Sequence, residues 1–137
     1  GILTVGRREK TISGFSYILR PGETCLLPEI GYAAGVDWAV EQDKRQESVH
    51  IMPYHGEPIV IRSRQPGDRI RTGGRLQRVK QMMIDAKIPR ELREKIPVVE
   101  VGGDIVWVCG LRHADTPHDG TQMIKIWIKE KSTCIRI

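Results

Sequence analysis

No apolar run in this 137-residue chain exceeds the length of a strand; Ile105-Val106-Trp107-Val108 is typical. A bilayer-spanning helix needs about 20 such residues, so none is expected here. No charged-then-apolar leader opens the chain, which argues against secretion. It begins at Gly1 without a Met and reads as a piece of something longer. Cysteine is scarce too: Cys25, Cys109 and Cys134 are odd in number, widely spaced, and form no C-x-x-C pair. That removes zinc ribbons and redox dithiols and points to a reducing, cytoplasmic setting. Two nucleotide signatures are missing as well. There is no G-K-[ST] to complete a phosphate-binding loop and no G-x-G-x-x-G after a strand. Aromatic residues make up only 5% of the chain, and none lies between Arg62 and Lys95. Base-specific reading by stacking on that stretch is therefore not supported.

What the chain does have is positive charge in one place. Residues 62–95 hold eleven Lys/Arg against four Asp/Glu, a net +7, whereas residues 1–61 carry −2 and residues 96–137 are neutral. A charge serving only solubility would be spread out; a site for a polyanion is concentrated. The ordinary reading of a charge run is a solvated face. Against it, only Asp68 and Asp85 fall between residues 62 and 90, so near acidic partners are few. Arg64, Arg69 and Arg71 sit in an extended or turn segment where they are expected to project freely. Arginine's planar fork takes phosphate with two hydrogen bonds and lysine adds a point charge, which favours a nucleic-acid backbone.

The 39% apolar and 28% charged fractions fit a globular domain. Residues 1–61 read as short strands: "TISGFSYILR", "TCLLPEIG", "YAAGVDWAVE", "ESVHIMPY" and "EPIVIRSR". The one long helix is predicted to start after Gly73-Gly74, with Leu76, Val79, Met83 and Ala86 along one side. Pro89 opens a second short helix over "PRELREK". "VVEVGGDIVWV" is a hairpin turning at Gly102-Gly103, and "TQMIKIWIKEKSTCIRI" supplies two closing strands with Ile124, Ile126 and Ile128 in phase. Strands, a helical insert, then strands again predict an α+β fold, a single domain over residues 1–137.

The stretch "RSRQPGDRI…GG…RVKQMMIDAKIPRELREKIPVV…GDIVWVCGLRHAD" closely resembles the C-terminal domain of tRNA(Ile)-lysidine synthases, most specifically over residues 62–115. That family shows R-x-R-x-P-G-D-R, a Gly-Gly turn, a Lys-rich helix ending Phe-Ile-Asp, then K-I-P, an Arg-bearing helix, and a hairpin ending W-V-x-G-L-R. The resemblance implies β-sandwich-like antiparallel sheets with a two-helix insert, similar to a module of the phenylalanyl-tRNA synthetase β subunit. It implies a tRNA-binding appendage that holds the acceptor side of a minor isoleucine tRNA. The catalytic N-terminal domain, with its S-G-G-x-D-S loop, ATP and Mg, is not in this chain. There, lysine is joined to the wobble cytidine. The implied contacts are Arg62, Arg64, Arg69, Arg71, Arg75, Arg78, Lys80, Lys87, Arg90, Arg93 and Arg112. Gln77 and Gln81 stand where the family often has lysine, which thins the helix as a phosphate contact; Met83 stands for the usual Phe.

Other residues invite chemistry without supporting it. His113, Asp115, His118 and Asp119 lie in a polar loop with no spacing that would fix a metal. His50 and His55 read as ordinary strand-end histidines, and Trp107 and Trp127 as core. Asp68 is expected to order its turn. No nucleophile has a base beside it, and no cofactor is expected in this stretch. The alternative to RNA binding is a docking domain whose basic segment packs on its own catalytic domain or on a dimer partner.

Overall fold

The computed structural model describes residues 14–115 and 122–130. Its strands fall in two sheets. One has seven strands in the order β1 (Ser16–Leu19), β5 (Ile59–Arg62), β8 (Val98–Val101), β9 (Asp104–Val108), β6 (Arg69–Thr72) and β7 (Arg75–Arg78), with β10 (Arg112–His113) also paired to β9. The other orders β2 (Thr24–Leu27), β3 (Tyr32–Trp38), β11 (Met123–Glu130) and β4 (Val49–Pro53). Helices α1 (Val79–Asp85) and α2 (Arg90–Arg93) lie between β7 and β8. The protein is α+β, as expected, but its larger sheet is mixed rather than antiparallel. Ile70 of β6 pairs in parallel with Ile105 of β9. A parallel pair needs a long crossover, and β7, both helices and β8 supply it.

Period-2 burial sets the strands. In β11, Ile124, Ile126 and Ile128 are buried while Met123, Lys125 and Trp127 are partly open. These isoleucines join Ile59, Ile61, Val99 and Trp107 in one hydrophobic core that draws on both sheets. At the centre of the smaller sheet Trp127 lies over Gly35, its register partner on β3, where any side chain would run into the indole. The second closing strand expected after Glu130 lies outside the described residues, as do Cys134, His118 and Asp119.

The helix expected after Gly73-Gly74 is instead a hairpin followed by a short helix. Arg69 pairs with Arg78, Ile70 with Gln77, Arg71 with Leu76 and Thr72 with Arg75. Gly73 and Gly74, at φ 60° and 77°, make the two-residue turn that requires positive φ at both positions. Leu76 is therefore half exposed, and Val79, Met82 and Met83 make the buried face of α1. Helical spacing misled because Leu76 and Val79, three apart, belong to different elements.

Candidate nucleic-acid interface

Opposed residues of an antiparallel pair share a side, so Arg69, Arg71, Leu76 and Arg78 emerge from one face of the β6–β7 hairpin. The opposite phase, Ile70 and Thr72, is buried. Arg75 is exposed beside the turn, Lys80 on α1, Lys87 just beyond it, Arg90 at the start of α2, and Arg112 on β10. Among the described residues, Arg69, Arg75, Arg78, Lys80, Lys87 and Arg90 form no salt bridge with a carboxylate.

Three of the arginines singled out from sequence turn inward. Arg62 is buried; its guanidinium donates to Asp68 at 2.9 and 3.1 Å, to Glu100 at 3.0 Å and to the Ser63 carbonyl at 3.0 Å. Burial works against the charge, but the hydrogen bonds to Asp68 and Glu100 outweigh it and hold the Arg62 pKa above its ordinary value. Arg64 does not project freely: it meets Glu94 at 3.0 Å. Arg93 gives its Nε–H to the Ile88 carbonyl at 3.0 Å. The acidic partners Glu94 and Glu100 lie 30 and 38 residues along the chain, beyond any local charge count. Asp68 orders its turn as expected, accepting the Gln65 N–H at 2.7 Å, and in addition anchors Arg62.

The Gly73-Gly74 turn offers its backbone N–H groups to an internal anion. Both donate to the Asp115 carboxylate, at 3.1 and 2.9 Å, and these two bonds hold that carboxyl below its ordinary pKa. Asp115 in turn donates its own N–H to the Arg71 carbonyl at 3.0 Å. The loop after β10 thus clamps the hairpin tip and sets where Arg71 and Arg75 stand.

Lys87 occupies a left-handed position, φ 60°, rare for a residue with a side chain. Its N–H bonds to the Ile84 carbonyl and that of Ile88 to the Met83 carbonyl, which closes α1 with the turn that glycine usually supplies.

His50 is not a strand-end histidine. It lies within β4, fully buried, stacked with Trp107 and His113. Its alternation with buried Met52 was the signal in the sequence. His113 belongs to β10 rather than to a loop, and Ala114 after it is buried. No group of three or more His, Cys, Asp or Glu among the described residues could hold a metal ion. No described helix is long and apolar enough to cross a membrane.

The class defined so far is a small two-sheet α+β domain that carries an exposed, cation-rich hairpin and helix pair. Comparison with known proteins makes this particular. The family model described as the TilS substrate C-terminal domain matches residues 59–128, half of the chain, and the chain belongs to that family. It is similar to the tRNA(Ile)-lysidine synthase of Persephonella marina, 30% identical over 116 residues that cover 78% of this chain and 25% of that protein. The synthase of Caldanaerobacter subterraneus subsp. tengcongensis is 46% identical over 59 residues, 42% of this chain and 13% of that protein. A solved structure described as the crystal structure of TILS C-terminal domain superposes with a TM-score of 0.76 at 26% identity, covering 88% of this chain and 99% of that one. The chain spans about a quarter or less of these curated relatives.

Proposed function

We propose that this chain is the tRNA-binding C-terminal module of a tRNA(Ile)-lysidine synthase and carries no catalytic site of its own. In this reading it holds the acceptor side of a minor isoleucine tRNA while the catalytic part joins lysine to the wobble cytidine using ATP and Mg. The observation that carries it is the set of exposed cations on β6, β7, α1 and α2 that no described carboxylate pairs. Arg69, Arg71, Arg75, Arg78, Lys80, Lys87, Arg90 and Arg112 are the phosphate contacts; Arg62, Arg64 and Arg93 position them from within. The relatives' printed name supports the choice of RNA. Free Cys25 and Cys109, the latter buried, support a reducing cytoplasmic setting. For the frame itself, the reading keeps the likeness to a module of the phenylalanyl-tRNA synthetase β subunit.

The test is tRNA binding by this chain across a salt series. A family member made of this domain alone has been crystallised, so the chain is a fair object. Eight phosphate contacts predict a log–log slope between about −5.6 and −7.2. Replacing Arg69, Arg71 and Arg78 together by alanine should flatten it by two to three units, about 0.7–0.9 per contact. An unchanged slope would leave the docking reading, in which the cations meet the catalytic part or a second copy.

A further inference from the structure

We infer that the Gly73-Gly74 tip of the β6–β7 hairpin is a backbone phosphate seat, which Asp115 fills in the free protein and an RNA phosphate takes over. The inference rests on the RNA-binding reading above and adds to it a contact made by main-chain N–H groups and gated by a side chain.

An anion already sits there. The N–H groups of Gly73 and Gly74 converge on the two carboxylate oxygens of Asp115, at 3.1 and 2.9 Å. Successive N–H groups presented by a turn form a concavity suited to an anion. A carboxylate and a phosphodiester each carry one negative charge and a fork of two oxygens, so a seat that fits the first fits the second. Cations complete it. The charges of Arg45 and Arg71 act on the Asp115 carboxylate alongside the two N–H bonds. Arg75, the residue after Gly74, is exposed. A Cβ at either glycine would have nothing within 4 Å, so the tip stands clear of the rest of the molecule.

The Asp115 side chain can leave without disturbing the frame. It is exposed, so water takes the place of its lost bonds. Its backbone stays in place, because the Asp115 N–H is held by the Arg71 carbonyl at 3.0 Å and the Ala114 N–H by the Val106 carbonyl at 2.8 Å. The hairpin keeps its own ladder of pairs from Arg69↔Arg78 to Thr72↔Arg75, and β6 its pairing with β9. Release therefore needs only the rotation of one side chain. Exchange of one monoanion for another is nearly balanced at the tip, so the ligand's other contacts decide it. A free phosphate ion competes with a tethered carboxylate and loses. A phosphate of an RNA already held by Arg69, Arg78 and Lys80 arrives at high effective concentration and wins. Asp115 thus keeps small anions off the tip and yields to a polyanion.

The test is heteronuclear NMR of the unaltered chain, following the Gly73 and Gly74 amides and the Asp115 carboxyl carbon. The probes are a short RNA duplex and inorganic phosphate, at the same low salt. With the duplex, the Asp115 carboxyl signal should move to that of a free carboxylate while both amide protons keep hydrogen-bonded shifts. Inorganic phosphate should move neither. Asp115→Ala should let inorganic phosphate shift both amides and should tighten duplex binding severalfold. Asp104→Asn removes an equal charge from the exposed start of β9 and should do neither. A carboxyl signal that stays put while the duplex binds would make Asp115 a fixed clamp, overturning the inference and keeping the phosphate reading. Weaker duplex binding by folded Asp115→Ala, or equal gains in the two variants, would overturn it too. No binding of RNA would overturn both.

Discussion

The Nδ1 atoms of His50 and His113 lie 2.8 Å apart, so one ring donates and the other accepts. His113 Nε2 lies 2.9 Å from the Gln46 carbonyl, which can only accept, so that nitrogen carries a proton. In the neutral pair His113 Nδ1 is then the acceptor and His50 Nδ1–H the donor. That leaves His50 Nε2 as a bare lone pair, buried without a hydrogen-bond partner among the described residues. A second proton has nowhere favourable to go. Burial first, then the charge of Arg45 and the neighbouring His113, push the His50 pKa from 6.5 down to about 2. His113 is lowered as well, by burial and by Arg45, against the opposing hydrogen bond to Gln46.

The pair makes stability depend on acid. The unfolded chain takes up a proton near pH 6.5 that folded His50 refuses, so stability is full above that pH and falls as the pH drops below it. One such proton is worth about 1.4 kcal/mol per pH unit between pH 6 and pH 4. Urea unfolding at pH 7, 6, 5 and 4 should show this slope, and His50→Phe should remove most of it while keeping the stack on Trp107. A flat profile in the unaltered chain would mean the pair does not hold its neutral form.

Arg62 should behave as an internal anchor. Arg62→Ala strands the carboxylates of Asp68 and Glu100 in a half-buried site, an effect on the order of 3–5 kcal/mol in unfolding free energy. In variants that remain folded, the salt slope of tRNA binding should stay within half a unit of its original value. A lost unit of slope with unchanged stability would instead make Arg62 a phosphate contact.

Lys87 separates backbone from charge. Lys87→Gly relieves the left-handed strain at φ 60° and should raise stability by about 0.5–1 kcal/mol. The same change removes a cation and should lower the tRNA salt slope by about 0.7–0.9. Opposite movements in the two measurements are the signature; Lys87→Ala should lose the slope without the gain in stability.

Gly35 should tolerate nothing larger. Its missing Cβ is the space filled by the body of the Trp127 indole, whose Nε1–H is tied to Asp37 at 3.1 Å. Gly35→Ala forces the ring off its seat and should cost about 1–3 kcal/mol, read from the denaturation midpoint. Trp127 fluorescence should shift toward that of an exposed indole in the same variant.

Much of the frame was legible because its signals are local. Alternation in "MIKIWIKE" gives β11 its buried face, and Gly102-Gly103 turns β8 into β9 as the pattern required. The basic segment stood out from counting charges alone, and the linked motifs over residues 62–115 led to the family that the comparisons then showed. The β6–β7 hairpin was missed because a Gly-Gly pair serves a tight turn and a helix approach equally well. Pairing with β9 decided between them.

What the sequence by itself determined is where the cations are along the chain and which residues alternate into the core. Both are properties of neighbours a few positions apart. What only the tertiary structure decided is which cations face solvent and which are spent. Arg62 meets Glu100 across 38 residues, and His50 meets His113 across 63. Such contacts depend on how two sheets close on one core, and no local pattern encodes a partner that far away.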